Sequence, residues 1–196
     1  MAEGNRPFRF ETSRLILRDW REEDWPLFWE LTNTNAVMRW LGDETDEDIR
    51  TAARQRIQGY RQRHGHTFWL LERKPDGGHL SGEVLGFCGL KRSNAEGERV
   101  EGMMEIGWRL REDAWGHGYA KEAAIASLDI GFDRFKADEI VALTVQGNEA
   151  SWGLMKRLGM DRRSDLDYAN TDFDPGSGII IVYAITREKW QGQGRD

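Results

Sequence analysis

The residues best suited to binding or chemistry gather around Trp115-Gly116-His117-Gly118-Tyr119-Ala120. Before them, Met103 to Arg111 alternates apolar Met104, Ile106, Trp108 and Leu110 with Met103, Glu105, Gly107 and Arg109. After them, Ala120, Ala123, Ala124, Ser127, Leu128, Gly131, Phe132 and Phe135 recur every three or four places. The first pattern predicts a strand and the second a helix, so two glycines fall where strand hands over to helix. The first turn of a helix has about four N–H groups without partners, and its dipole adds roughly half a positive charge. Glycine lets a ligand approach that backbone closely, which makes the junction a natural seat for phosphate. The competing reading is a plain glycine turn that binds nothing. Two other phosphate loops are excluded: no Gly-Lys-Ser/Thr run is present, and a dinucleotide fingerprint needs a small residue where Lys121 stands.

Other reactive side chains are few. Glu105 holds a polar position of the alternating strand, where a solvent-facing carboxylate is the simple expectation. Asn148 and Ser151 open a short helical stretch, and both are favoured at helix N-termini for capping alone. Cys88, the lone cysteine, sits between Phe87 and Gly89 in an apolar strand; this predicts a buried structural thiol and excludes an internal disulfide. His64, His66 and His79 lack metal-ligand spacing, so no metal is implied.

The elements that must position these groups can be read along the chain. Arg14 to Trp20 predicts a first strand, and Glu22 to Leu31 a helix with Pro26 in its first turn. Ala36 to Leu41 forms a short apolar turn, and Thr45 with Asp48 signals the cap of a polar helix running to about His64. Thr67–Glu72, Glu83–Leu90 and Ile140–Val145 read as strands, and Asn148–Leu158 as a helix stopped by Gly159. A last pair of strands is expected near Met160–Tyr168 and Gly178–Ala184. With 196 residues, no repeat and no long linker, one domain is expected over 1–196, with loose tails at about 1–8 and 191–196. A net charge of −6 argues against a nucleic-acid binder, and no apolar run approaches the roughly 18–20 residues of a membrane helix. The N-terminus lacks a signal-peptide pattern, so a cytoplasmic protein is expected.

The glycine loop with its flanking strand and helix resembles the acetyl-CoA loop of the GNAT superfamily of N-acetyltransferases. That loop reads Arg/Gln-x-x-Gly-x-Gly/Ala; Gly118 and Ala120 match, and Trp115 replaces Arg/Gln. The Trp-Gly-x-Gly-Tyr-Ala form is similar to the RimJ/RimL branch, which acetylates ribosomal-protein N-termini. The opening Glu11-Thr12-Ser13-Arg14-Leu15-Ile16-Leu17-Arg18, then Trp20-Arg21-Glu22-Glu23-Asp24 and Val37-Met38-Arg39-Trp40-Leu41-Gly42, resemble that branch too. So do Asn148-Glu149-Ala150-Ser151 and Lys156-Arg157-Leu158-Gly159-Met160. The resemblance covers most of residues 11–190.

It implies an α/β (α+β) GNAT fold: a mixed, mostly antiparallel sheet of six to seven strands with helices on both faces. It also implies acetyl transfer from acetyl-CoA, as co-substrate, to a primary amine by direct attack. The acceptor would be a peptide N-terminus or a small molecule, and the protein a monomer or homodimer. The cofactor-binding set would be Trp108, Leu110, Trp115, Gly116, His117, Gly118, Tyr119, Ala120, Asn148 and Ser151. Such chemistry needs a neutral amine, a stabilised oxyanion and a proton for the leaving thiolate. By position in the family Glu105 is the candidate base. The tyrosine acid of many members is replaced by Met155, which leaves Ser151, acting through water, as candidate acid. A non-catalytic acyl-CoA-binding sensor on the same fold is the alternative. The acceptor, expected to be cationic or to carry an amine beside polar groups, would enter between the N-terminal helices, with Trp25, Trp29 and Trp40, and the late hairpin, where Asp167, Asp172 and Asp174 would draw an ammonium group.

Overall fold

A computed structural model describes residues 7–41, 46–170 and 178–194. The strands are β1 (Arg9–Glu11), β2 (Leu15–Arg18), β3 (Phe68–Arg73), β4 (Val84–Arg92), β5 (Met104–Leu110), β6 (Glu139–Val145), β7 (Asp161–Arg162), β8 (Tyr168–Ala169) and β9 (Ile179–Thr186). The helices are α1 (Asp24–Thr32), α2 (Asn35–Met38), α3 (Glu47–His64), α4 (Tyr119–Asp129), α5 (Glu149–Arg157) and α6 (Arg187–Gly192). All nine strands join one sheet in the order β1-β2-β3-β4-β5-β6-β9-β7, with β8 also on β9. Every pairing is antiparallel except β5 with β6. Parallel neighbours need a crossover, and α4 supplies it.

Each face of the sheet is covered, as the expected architecture requires. On one face, Leu17, Leu71, Leu90, Met104 and Ile106 pack beneath Ala123, Ala124 and Leu128 of α4. Small residues along α4 bring helix and sheet close, and Ser127 Oγ lies 3.6 Å from the sulfur of Cys88. The chain then widens into a π-helical turn, Ile130–Arg134, where a Cβ on Gly131 would stand 2.6 Å from Ile140 Cδ1. On the opposite face, Trp25, Phe28 and Trp29 of α1 pack with Ala53 and Ile57 of α3. These positions of α3, continued by Tyr60, are spaced i, i+4 and i+7, which puts them on one side of an otherwise polar helix. Arg18 fixes α1 to the sheet: its guanidinium grips both oxygens of Asp24 at 2.7 and 2.8 Å and Glu72 at 2.8 Å.

Several boundaries differ from expectation for local reasons. Six strands have four or more residues, and three shorter ones extend the sheet beyond the six to seven expected. The strand expected over Met160–Tyr168 is broken into β7 and β8 because the chain turns at Ser164–Leu166, dropping Leu166 into a cluster with Val141 and Val182. Phe8, expected in a loose tail, is buried and stacks on Trp69 at 4.2 Å. The cap expected at Thr45 lies outside the described residues; Asp46 caps α3, accepting from the Asp48 and Ile49 amides. At the C-terminal end, α6 is capped by Thr186, and buried Trp190 donates to Asp129.

Candidate functional site

The sheet opens along the line between β5 and β6. Their ladder consists of Met104 with Ile140 and Glu105 with Val141. Beyond it β5 stays paired to β4 as far as Leu110, while β6 stays paired to β9 as far as Val145. The two strands therefore bound a wedge with backbone N–H and C=O groups along both edges. Backbone polar groups demand partners, so the wedge suits an extended ligand carrying amides. Trp108 and Leu110 lie on the β5 side of it. The Leu110 carbonyl accepts a hydrogen bond from the Trp115 indole at 3.1 Å, which folds that ring back over the end of the strand.

The glycine loop stands at the wide end. After a 3-10 turn at Glu112–Ala114, Gly116 and Gly118 take φ of 79° and 78°, and Gly118 is the N-cap of α4. The left-handed conformation turns the chain tightly into the helix, a geometry that costs any residue with a Cβ about 1–2 kcal/mol. The first bond closing the helix runs from Glu122 N–H to Gly118 O at 3.1 Å, so the amides before it point outward at an exposed loop. The loop is braced from behind. Arg14 donates to His117 O at 3.0 Å, pairs with Glu122 at 2.7 Å and lies 4.7 Å from the Tyr119 ring centroid. Burial alone would raise the Glu122 carboxyl, but hydrogen bonds from Thr12 and Arg14 outweigh it and hold the group below its usual range. Tyr119 is buried, accepts from Arg73 at 3.1 Å and donates to His79 O at 3.0 Å. His117 stacks on His79 with centroids 3.8 Å apart. The side chains of Trp115 and Tyr119 thus shape the loop, and what these two residues offer a ligand is backbone.

Glu105 is not a surface carboxylate. It is 8% exposed, on the face opposite α4, at the last rung before the wedge. Lys91, its cross-strand neighbour on β4, places Nζ 2.6 Å from Oε2. Tyr60 of α3 and Tyr168 of β8 flank it. Burial raises both phenols, Tyr168 to about 12 with further push from Glu105 and Glu98. Arg109, on the same side of β5, donates to Thr32 O at 3.1 Å, with Phe28 and Trp29 rings 5.1 and 5.4 Å away.

The other expected residues divide. Asn148 is the N-cap of α5, its side-chain oxygen accepting from the Ser151 amide at 3.3 Å, and Ser151 is half-buried in the first turn. Met155 is 1% exposed and belongs to the core. Trp40 packs on Gly147, where a Cβ would come within 2.6 Å of its ring, so α2 is tied to the turn before α5. Trp25 and Trp29 are buried against Ala53 and Ile57 of α3, and both also line the hollow between α1 and α3. Asp167 is held by the Arg162 guanidinium and by the Val182 amide at 3.1 Å, which makes it part of the hairpin's framework. Asp172 and Asp174 lie outside the described residues. Cys88 is fully buried, and burial pushes its thiol up to about 12, so it is inert at neutral pH. Among the described residues no group of three or more His, Cys, Asp or Glu could hold a metal ion, and no helix is long and apolar enough to cross a membrane. Two surface hollows, between α1 and α3 and between Phe10 and Arg134, share no lining residue with the loop or Glu105.

Sequence reading did not single out Lys91, Tyr60, Tyr168 or Arg14 for this site. Lys91 and Glu105 carry opposite charges on neighbouring strands, which is a signal, but only once register is known.

Comparison with known proteins places these features in context. A family model described as acetyltransferase (GNAT) domain matches residues 14–161. The chain is 32% identical over 157 residues to the uncharacterized protein YkkB of Bacillus subtilis (strain 168), covering 80% of this chain and 87% of that one. It is 28% identical over 185 residues to the uncharacterized N-acetyltransferase YnaD of the same organism, covering 91% and 97%. Among solved structures, the acetyltransferase from Agrobacterium tumefaciens str. C58 superposes with a TM-score of 0.73 at 22% identity, over 91% of this chain and 94% of that one.

Proposed function

This chain belongs to the GNAT acetyltransferase family, and from that premise we propose that it moves an acetyl group from acetyl-CoA to a primary amine as a RimJ/RimL-type enzyme. The acceptor is a peptide N-terminus or a small-molecule amine. One observation carries the reading: the sheet splits where the buried Glu105 carboxylate sits, so a thioester reaching down the wedge ends beside a proton acceptor. The residues present fit such a substrate. Outward amides from Gly116 to Ala120 suit a pyrophosphate, and the strand edges at Trp108 and Leu110 suit the amides of a pantetheine arm.

In the reaction the neutral amine attacks the thioester carbonyl, the new C–N bond forms and the C–S bond breaks. The proton lost by nitrogen passes to Glu105, directly or through water, and the thiolate takes up a proton to leave as CoA thiol. Ser151, beside Asn148 at the start of α5, is the hydroxyl proposed for that last transfer. A second reading, a non-catalytic acyl-CoA sensor, draws on one observation: Met155, where many relatives carry an acid, is sealed in the core. Thiol release from acetyl-CoA with a panel of primary amines decides between them. Turnover with any amine removes the sensor reading; acetyl-CoA binding without turnover across the panel removes the enzyme reading.

A further inference from the structure

Lys91 is the residue of this site whose role the family reading does not supply. Its Nζ is fixed from three sides: 2.6 Å from Glu105 Oε2, 2.8 Å from Asn94 Oδ1, and 5.9 Å from the Tyr60 ring centroid. Both members of the ion pair are shielded, with side chains 12% and 10% exposed. Shielding strengthens charge interactions, so what Lys91 does to an incoming acceptor is felt strongly.

The groups around the pair do not restore negative charge. Tyr60 faces Glu105 from α3, its phenol also acted on by Arg56 and Arg63; Tyr168 faces it from β8, its phenol also acted on by Glu98; Arg109 follows on the same side of the strand. Both tyrosines are neutral at physiological pH, since burial raises their phenols. The charge that meets the Glu105 carboxylate directly is the Lys91 ammonium, at 2.6 Å. An acceptor that arrives as an ammonium must share one carboxylate with Lys91 and lie beside a like charge. An acceptor that arrives neutral meets no such penalty. A lysine-like amine, with a pKa of about 10.4, is almost wholly protonated at pH 7.5, whereas an α-amine near 7.7–8.0 is substantially neutral.

We propose that Lys91 is a specificity-determining residue: by neutralising Glu105 it admits weakly basic primary amines and discriminates against alkylammonium and polyamine acceptors. The inference rests on Glu105 marking the acceptor end of the wedge, as proposed above. It adds no step to the reaction. The amine nitrogen still gives one proton to Glu105, the C–N bond replaces the C–S bond, and the sulfur leaves as thiol. What Lys91 changes is which amines are deprotonated when they reach the carboxylate.

The test compares kcat/KM for alanine amide, propylamine and spermidine in wild type, Lys91→Met and Lys91→Arg, with acetyl-CoA affinity measured alongside. Wild type should prefer alanine amide. Lys91→Met should move the alanine amide to propylamine ratio toward propylamine by about tenfold or more, the scale of one removed like-charge contact. Lys91→Arg, which keeps the charge, should keep the wild-type ratio, and acetyl-CoA affinity should be the same in all three. A residue that merely held the strands together would lower every substrate alike and would not be rescued in this selective way. An unchanged ratio in Lys91→Met, or a wild type that prefers spermidine, overturns the proposal. The wild-type preference needs no variant, so the proposal stays exposed even if Lys91→Met does not fold. A wild type that turns over no amine brings down the acetyltransferase reading itself, whereas turnover with an unmoved ratio brings down only the role of Lys91.

Discussion

The glycine at the mouth of the wedge makes the acetyl-CoA loop testable by calorimetry or thermal melting, because its backbone cost and its ligand effect can be separated. Gly118 has φ of 78° and the cap position of α4. Any L-residue placed there costs about 1–2 kcal/mol from the left-handed conformation. In a protein of this size about 1 kcal/mol corresponds to roughly 2–4 °C, so Gly118→Trp should lower Tm by roughly 2–8 °C without ligand. Acetyl-CoA at a hundred times its Kd should raise the wild-type Tm by roughly 5–11 °C, from about 2.7 kcal/mol of mass-action stabilisation. In Gly118→Trp that increment should vanish, since the ring stands beside Arg14 and in front of the loop amides; the nearest atom to a Cβ there is Arg14 Nη2, at 3.5 Å. Gly97 provides the control. Its φ is also 78° and a Cβ would meet nothing within 4 Å, so Gly97→Trp should show a similar loss without ligand and the full acetyl-CoA increment. A Gly118→Trp protein that keeps the full increment would refute the placement of the ligand at this loop.

Three further outcomes follow from named groups. Glu105→Gln should reduce turnover about tenfold or more with acetyl-CoA affinity unchanged, and the deficit should shrink at high pH, where the amine loses its proton unaided; a rate equal to wild type at every pH would remove Glu105 as base. Buried His66, whose Nδ1 lies 3.0 Å from Leu90 O, is pushed down to about 4, chiefly by burial, from an ordinary 6.5. The unfolded chain binds the extra proton between those values, so this contribution, on the order of 3 kcal/mol, is present above about pH 6.5 and lost as pH falls toward 4. Urea unfolding of wild type and His66→Gln across that window should show a steeper loss of stability in wild type than in the variant, and equal slopes would remove His66 as the cause. Asp24→Asn removes the carboxylate that Arg18 grips through both nitrogens, and should cost about 3 kcal/mol or more by the same assay; a loss below 1 kcal/mol would mean Glu72 alone suffices for that guanidinium.

Much of this fold could be read without coordinates, because its main strands and helices are amphipathic with clear periods. The alternation through Met104, Ile106 and Leu110 put Glu105 on the opposite side of its strand from the main core, which is where it lies. Alternation does not say what covers that second side, so it suggested solvent; α3 and the late hairpin, distant in sequence, shield it instead. The same gap hid Lys91, since a cross-strand partner is fixed by register and not by spacing along the chain. Asn148 illustrates the reverse difficulty: the capping bond to Ser151 is present, and the side-chain amide still has two donors that a ligand could use. The burial of Phe8 and Trp190 is not legible in the sequence, because each is a single aromatic near an end of the chain with no periodic neighbours to mark its element.

The two-rung ladder between β5 and β6 has a mechanical meaning. It divides the sheet into two panels, β1 to β5 and β6 with β7 to β9, whose backbones are joined by that short seam and by the α4 crossover, with side-chain packing across the join. Glu105 rides on one panel, and Asn148 and Ser151 follow the other. Their separation is set less by the local rigidity of either panel than by the angle at which the panels meet. A chain lying in the wedge and bonded to both edges would act as an additional strand and fix that angle. Alignment of the reactive groups and retention of the spent carrier would then depend on the same hydrogen bonds, so tighter stitching of the panels would slow departure as it improved alignment.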